Sequence, residues 1–228
     1  MRYRCIIFDC DGTLIDTLEG IANAMNQALG EHGFPAAPVE QYRNMVGWGL
    51  VRLAELALPE QAQTKETITA VAARAQQLME EQPPSLSKPY PGIRELVALL
   101  ADHKTPKNKR IYTAVLSNKE DTVLRRLMDE HFGPNAFDVV CGLHPGIAPK
   151  PDPQAVWEIL TEWGKNPHDT IFMGDSEIDM ETARNSGCYP LGVSWGFRSR
   201  AALEQAGAAR IIDRPDELWE LVSRQPVH

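Results

Sequence analysis

The sequence predicts an α/β fold, a doubly wound parallel sheet whose first strand is followed by an all-helical insert. Three observations predict it. Short apolar runs such as "CIIFD", "RIYTAVLS" and "TIFMGD" lack the polar–apolar alternation of half-exposed strands, so they read as strands covered on both faces. Beyond residue 90 these runs alternate with helical patterns, the order that builds a parallel sheet with helices on both sides. Residues 18 to 81 carry helical spacing and no strand signal.

The elements follow in order. Residues 3 to 9 read as a buried strand. Leu18, Ile21, Ala22, Met25, Leu29 and His32 fall on one face of a helix from Thr17 to His32, with Asp16 and Glu19 placed as an N-terminal cap. Further helices are expected over residues 50 to 57 and 61 to 81. "EQPPSLSKPYPG", with four prolines and two serines, reads as a linker. A helix through Ile93, Leu96, Val97 and Leu100 then precedes the strand "RIYTAVLS", with the charged surface loop "ADHKTPKNKR" between them. A helix through Leu124, Leu127 and Met128 precedes "FDVVCG". Asp152-Pro153 opens a helix carrying Val156, Ile159, Leu160 and Trp163. "TIFMGD" is a strand, residues 178 to 186 a helix, "CYPLGVSW" a strand, and residues 215 to 224 a last helix. Trp157, Trp163 and Trp219 are expected in the core.

The totals narrow the function. In 228 residues, 43% are hydrophobic and 24% charged, enough for a substantial core. A net charge of −8 disfavours a nucleic-acid binder, which needs a basic face for phosphates. No run approaches the about 18 apolar residues of a membrane span, and the N-terminus lacks a secretory pattern. Cys5, Cys10, Cys141 and Cys188 show neither metal nor disulfide spacing and are expected as reduced thiols of a cytoplasmic protein. Cys10 most simply fills space at a strand end. The six histidines show no ligand spacing.

Chemistry is expected where the strands end, because open α/β sheets bind ligands there. The first strand ends in Asp9-Cys10-Asp11-Gly12-Thr13, the second in Ser117-Asn118-Lys119, and "TIFMGD" in Asp175, followed by Glu177 and Asp179. Lys150 sits between prolines at a helix start. Two close like charges repel by about 1 kcal/mol in water and by more at lower dielectric, so Asp9 and Asp11 require compensation. Carboxylates at this density suit a hard cation with oxygen ligands such as Mg²⁺. An aspartate beside such a cation can act as a nucleophile toward phosphorus. Phosphoryl transfer then needs positioning and charge neutralisation, which Lys150, a hydroxyl and backbone N–H groups can supply. Gly12 permits the sharp turn that this requires.

"FDCDGTL", "LSNK", "KPDP" and "GDSEIDM", in that order, resemble the four motifs of the haloacid-dehalogenase-like hydrolase superfamily. The resemblance spans nearly the whole chain. It implies a Rossmann-like core of residues 1 to 14 and 90 to 228, with residues 15 to 89 as a helical C1-type cap and its linkers. It further implies that Asp9 is the nucleophile and that Asp11 is the acid and base. Ser117 and the Asn118 backbone would hold phosphoryl oxygens, and Lys150 would neutralise charge. Mg²⁺ would bind Asp9, Asp175 and the Asp11 carbonyl, with Asp179 orienting Lys150 or a metal-bound water. The acid at Asp11 points to a phosphatase of small phosphorylated metabolites. "MVGWGLVRLAELAL" and "GVSWGFRS" resemble phosphoglycolate phosphatases in particular.

Two other readings stand beside it: a hydrolase of phosphoanhydrides such as pyrophosphate, and a receiver-like binding protein switched by phosphorylation. Gly47-Trp48-Gly49 and Arg52 either face the substrate or form a helix-start turn with Trp48 packed inside. Trp195-Gly196-Phe197 is expected to border the site. Glu177 and Lys119 lie near it and are given no role.

Overall fold

A computed structural model describes residues 3–83, 86–102 and 110–223. Part of the proline-rich linker (84–85) and most of the charged loop (103–109) lie outside the described residues.

Six parallel strands form the sheet, in the order β5-β4-β1-β6-β7-β8. They are β1 (Cys5–Phe8), β4 (Tyr112–Glu120), β5 (Val139–Leu143), β6 (Thr170–Gly174), β7 (Tyr189–Val193) and β8 (Arg210–Ile212). The chain starts in the middle, builds outward through β4 to β5, then returns to the other side of β1 for β6, β7 and β8. This is a doubly wound order, and its switch point lies between β1 and β6. The pairs there are in register at Phe8 with Val115 and with Met173, so three strand ends arrive together.

β1 shows why the strands read as uninterrupted apolar runs. Ile6 and Phe8 join an apolar cluster with α5 (Ile93–Asp102), α6 (Asp121–Phe132) and α10 (Asp216–Ser223). Cys5 and Ile7 join another with α7 (Gln154–Trp163) and α8 (Glu177–Ser186). Successive side chains point to opposite faces, and both faces are covered.

Between β1 and β4 lies the helical insert: α1 (Leu18–Glu31), α2 (Val39–Tyr42), α3 (Leu50–Ala57) and α4 (Lys65–Glu81). Met25, Leu29, Tyr42, Leu53, Val71 and Ala75 are among the residues of its own apolar cluster. Its two connections to the sheet form an antiparallel pair, β2 (Ile15–Asp16) with β3 (Lys88–Pro89). Asn26 fixes the turn after α1, since its amide bonds Ala37 in both directions and accepts from the Tyr42 hydroxyl.

Several elements differ from the sequence expectation. Helix α1 starts one residue later, with Thr17 at the N-cap and Asp16 accepting from the Leu18 amide. The expected helix over 61 to 81 is broken. Residues 60–62 form a separate 3₁₀ turn, and Thr64, in extended conformation, caps α4 through the Thr67 amide. Strand β8 and helix α9 (Arg200–Gln205) are too short to show a period. Trp157 is half exposed rather than core, with its indole donating to the Ser186 carbonyl. Among the described residues, no helix is long and apolar enough to cross a membrane.

Candidate active site

The carboxyl end of β1 turns sharply: the amides of Thr13, Leu14 and Ile15 all donate to the Cys10 carbonyl. Gly12 makes this possible with a φ of +85°, and a Cβ there would stand 2.7 Å from the Asp175 Cγ. Its own N–H donates to Ile15, so Gly12 enters the site through its shape. Cys10 is fully buried in the core cluster. Burial and the neighbouring Asp11 charge push its thiol well above the ordinary range, which leaves it a packing residue. All four cysteines are free.

The turn brings the β1 and β6 ends together. Lys150 Nζ lies 2.7 Å from Asp9 Oδ1 and 2.7 Å from Asp179 Oδ1. Asp179 Oδ2 accepts from both the amide and the hydroxyl of Ser176, completing a capping box at the start of α8. Asp179 thus serves the helix and Lys150 at once. Asp175 is fixed by the Phe197 amide at 2.6 Å and by the Thr13 hydroxyl at 3.4 Å. Carboxylate oxygens of Asp9, Asp175 and Asp179 can all lie within 4.8 Å of one another.

Three carboxylates are thus buried together while Lys150 pairs with two of them, Asp9 and Asp179, and burying uncompensated charge is costly. The electrostatics show it. Burial, then the Asp179 and Asp11 charges, push Asp9 up to about 7 against the pull of Lys150. Burial and the Asp179 and Asp9 charges push Asp175 well above the carboxylate range. Burial alone would lower Lys150, but Asp179 and Asp9 raise it, so it stays charged. A divalent cation is the natural remedy. The all-oxygen donor set of Asp9, Asp175 and Asp179 fits a hard ion such as Mg²⁺; of the three, Asp179 is the one tied at once to the Lys150 ammonium and to a helix cap.

Asp11 points elsewhere. Its Oδ1 accepts from the Thr17 hydroxyl at 2.7 Å and lies 3.2 Å from Lys119 Nζ. Ser117 is buried beside them, its Oγ accepting from the Lys119 amide. The Asn118 side chain holds the Lys150 backbone, accepting from its N–H and donating to its carbonyl, and also donates to the Gly47 carbonyl of the insert. Every residue expected in the site, Asp9, Asp11, Gly12, Ser117, Asn118, Lys150, Asp175 and Asp179, is therefore gathered at the β1–β6 switch point.

Over them lies a cleft of about 700 Å³, counting the part open to solvent, roofed by Gly47, Gly49, Leu50, Leu53 and Met79 of the insert. Trp48 is exposed, and Arg52 pairs with Glu55 at 2.5 Å outside the cleft. Of Trp195-Gly196-Phe197, Phe197 lines the cleft, whereas Trp195 does not and instead donates its indole N–H to the Thr13 carbonyl.

Sequence reading missed two residues here. The Lys119 side chain is nearly enclosed and carries a salt bridge to Asp11; burial works to lower it, and Asp11 prevails and raises it. Arg198 pairs with Glu177 and donates to the carbonyls of Arg43 and Val46, fastening the insert to the sheet. The "SNK" motif placed Lys119 at the strand end. Nothing local marks Arg198, whose partners on the insert are some 150 residues away in sequence.

A phosphoglycolate phosphatase of Pseudomonas putida is 28% identical over 213 residues, 92% of this chain and 76% of that protein. One from Vibrio cholerae is 28% identical over 224 residues, 96% of each. The crystal structure of a candidate phosphoglycolate phosphatase from Lactobacillus delbrueckii subsp. bulgaricus superposes with a TM-score of 0.86 at 30% identity, covering 97% of this chain and 99% of that one. The profile of the haloacid dehalogenase-like hydrolases matches residues 6–193. The chain belongs to the haloacid dehalogenase-like hydrolase family.

Proposed function

We propose that this protein is a cytoplasmic, Mg²⁺-dependent phosphatase of small phosphorylated metabolites, with 2-phosphoglycolate the leading substrate and residues 15 to 89 acting as its cap. The observation that carries this reading is the surplus of buried carboxylate around Lys150, beneath a roofed cleft. The names of its relatives support the substrate class.

Asp9 attacks the phosphorus, the ester P–O bond breaks, and the phosphoryl group rests on the Asp9 carboxylate. Asp11 gives its proton to the leaving oxygen, then takes one from the water that attacks the phosphoaspartate. Lys150 and the Ser117 hydroxyl hold the phosphoryl oxygens. Asp179 keeps Lys150 aimed at Asp9. Mg²⁺, held by Asp9, Asp175 and the Asp11 carbonyl, would neutralise the charge of the phosphoryl group. Closure of the insert excludes bulk water.

A phosphate-release screen over small phosphorylated metabolites tests the reading. With Mg²⁺ the wild type turns over, 2-phosphoglycolate best, and EDTA abolishes release. Asp9→Asn loses on the order of 10³-fold or more. Wild-type rates in that variant would show the assigned nucleophile to be wrong. A long-lived stoichiometric phosphoprotein without turnover would favour the receiver-like reading.

A further inference from the structure

Among the described residues, three cations line the cleft: Lys150, Arg198 and Lys119. Lys150 is held between Asp9 and Asp179. Each guanidinium nitrogen of Arg198 is engaged, by Glu177 or by backbone carbonyls of the insert. Lys119 differs. Its ammonium carries three donors, and its side chain is 8% exposed with Asp11 at 3.2 Å as its anionic partner.

The surroundings give this ammonium meaning. Around the space beyond Asp11 the wall is apolar, formed by Ile21, Val46, Leu50, Leu53, Met79 and Val123. The polar side chains interrupting it are Gln76 and, at the end of β4, Glu120, whose carboxylate accepts from the Val123 amide as the cap of α6. A polyhydroxylated leaving group would bury hydroxyls against that apolar wall without partners, which is costly. An anion would be worse off anywhere but beside Lys119.

We propose that Lys119 is the residue that selects the leaving group, by binding a carboxylate one carbon away from the ester oxygen that Asp11 protonates. The substrate class is thus the short phosphorylated hydroxy acid, in preference to sugar phosphates. This rests on the phosphatase reading above, in which Asp11 faces the leaving oxygen. Because Lys119 and Thr17 both hold Asp11 Oδ1, the carboxylate and the ester oxygen of one small substrate meet adjacent groups.

The test compares binding and turnover. 3-Phosphonopropionate, a non-hydrolysable analogue of 2-phosphoglycolate, and propylphosphonate, which lacks the carboxylate, are titrated calorimetrically into wild type, Lys119→Met and Lys119→Arg with Mg²⁺ present. Wild type prefers the carboxylate by about 10–100-fold, as expected for one charge-assisted hydrogen bond. Lys119→Met abolishes that preference and Lys119→Arg retains part of it. The ratio of kcat/KM for 2-phosphoglycolate over ethyl phosphate falls in parallel. If Lys119→Met weakens both ligands and both substrates alike, the residue only positions Asp11 and the proposal is overturned. The same holds if wild type shows no preference. A wild type that binds selectively yet hydrolyses neither ester would overturn the phosphatase reading and leave the selectivity of Lys119 standing.

Discussion

Asp9 lies where two demands conflict, because the fold buries it while the proposed chemistry needs its anion. In the unfolded chain an aspartate ionises near pH 4, whereas folded Asp9 holds its proton up to about 7. Between those values the folded protein binds more protons than the unfolded chain, so its stability falls as pH rises through that window, and Asp175, pushed up by burial and the Asp179 and Asp9 charges, works in the same direction. Metal-free protein should therefore melt at progressively lower temperature from pH 5 to pH 7.5. With saturating Mg²⁺ the trend should reverse, since a bound cation favours ionised ligands. Scanning calorimetry with EDTA and with Mg²⁺ checks both arms; parallel curves would show that no cation binds these carboxylates. Lys150→Met leaves Asp9 and Asp179 without their shared ammonium. It should reduce kcat by about 10²–10³-fold, measured as steady-state phosphate release. Lys150 was legible in the sequence because prolines bracket it on a predicted strand-end edge. The anchoring of Asp175 by the Phe197 amide was not, since backbone N–H groups carry no residue-type signature.

At the scale of the element, β1 supports the site through its packing. Phe8 is fully buried and meets Phe137 edge-on at 6.1 Å. Phe8→Ala should cost about 3–5 kcal/mol in urea unfolding, by lost transfer energy and the cavity left behind. The apolar runs of β1, β4 and β6 were legible because both faces are covered, which removes any ambiguity of alternation. β8, three residues long, was not. Nor was the break before α4, where Gln61-Ala62-Gln63-Thr64 carries no glycine or proline to mark a stop and the backbone uses Thr64 as a cap. The linkers hid a second feature: Ile15–Asp16 and Lys88–Pro89 pair over only two residues each, too few to signal a strand.

The whole molecule is two apolar clusters sandwiching a sheet and a third inside the insert, joined by the short β2–β3 pair and a polar interface. That interface is made of Arg198 on insert carbonyls, Asn118 on Gly47, Arg43 on the Gly196 carbonyl, and Arg126 on the carbonyls of Met79 and Glu80. Hydrogen bonds with a charged donor contribute roughly 1.5–3 kcal/mol each, so the insert is held closed by contacts that opening can exchange for water. Arg198→Met should loosen it. Hydrogen exchange at residues 43–46 should accelerate and KM for 2-phosphoglycolate should rise several-fold, while unchanged exchange would show the contacts to be incidental. This interface escaped sequence reading because its partners are separated by 46 to 155 residues.

The central claim is that the phosphoryl group passes through the Asp9 side chain, and trapping tests it most directly. The enzyme, mixed with 2-phosphoglycolate and Mg²⁺, is acid-quenched within one turnover, treated with borohydride, digested and mapped by mass spectrometry. A phosphoaspartate is reduced to homoserine, so the account predicts homoserine at residue 9, dependent on both substrate and Mg²⁺. Phosphate release at full rate with residue 9 recovered as unmodified aspartate would contradict it.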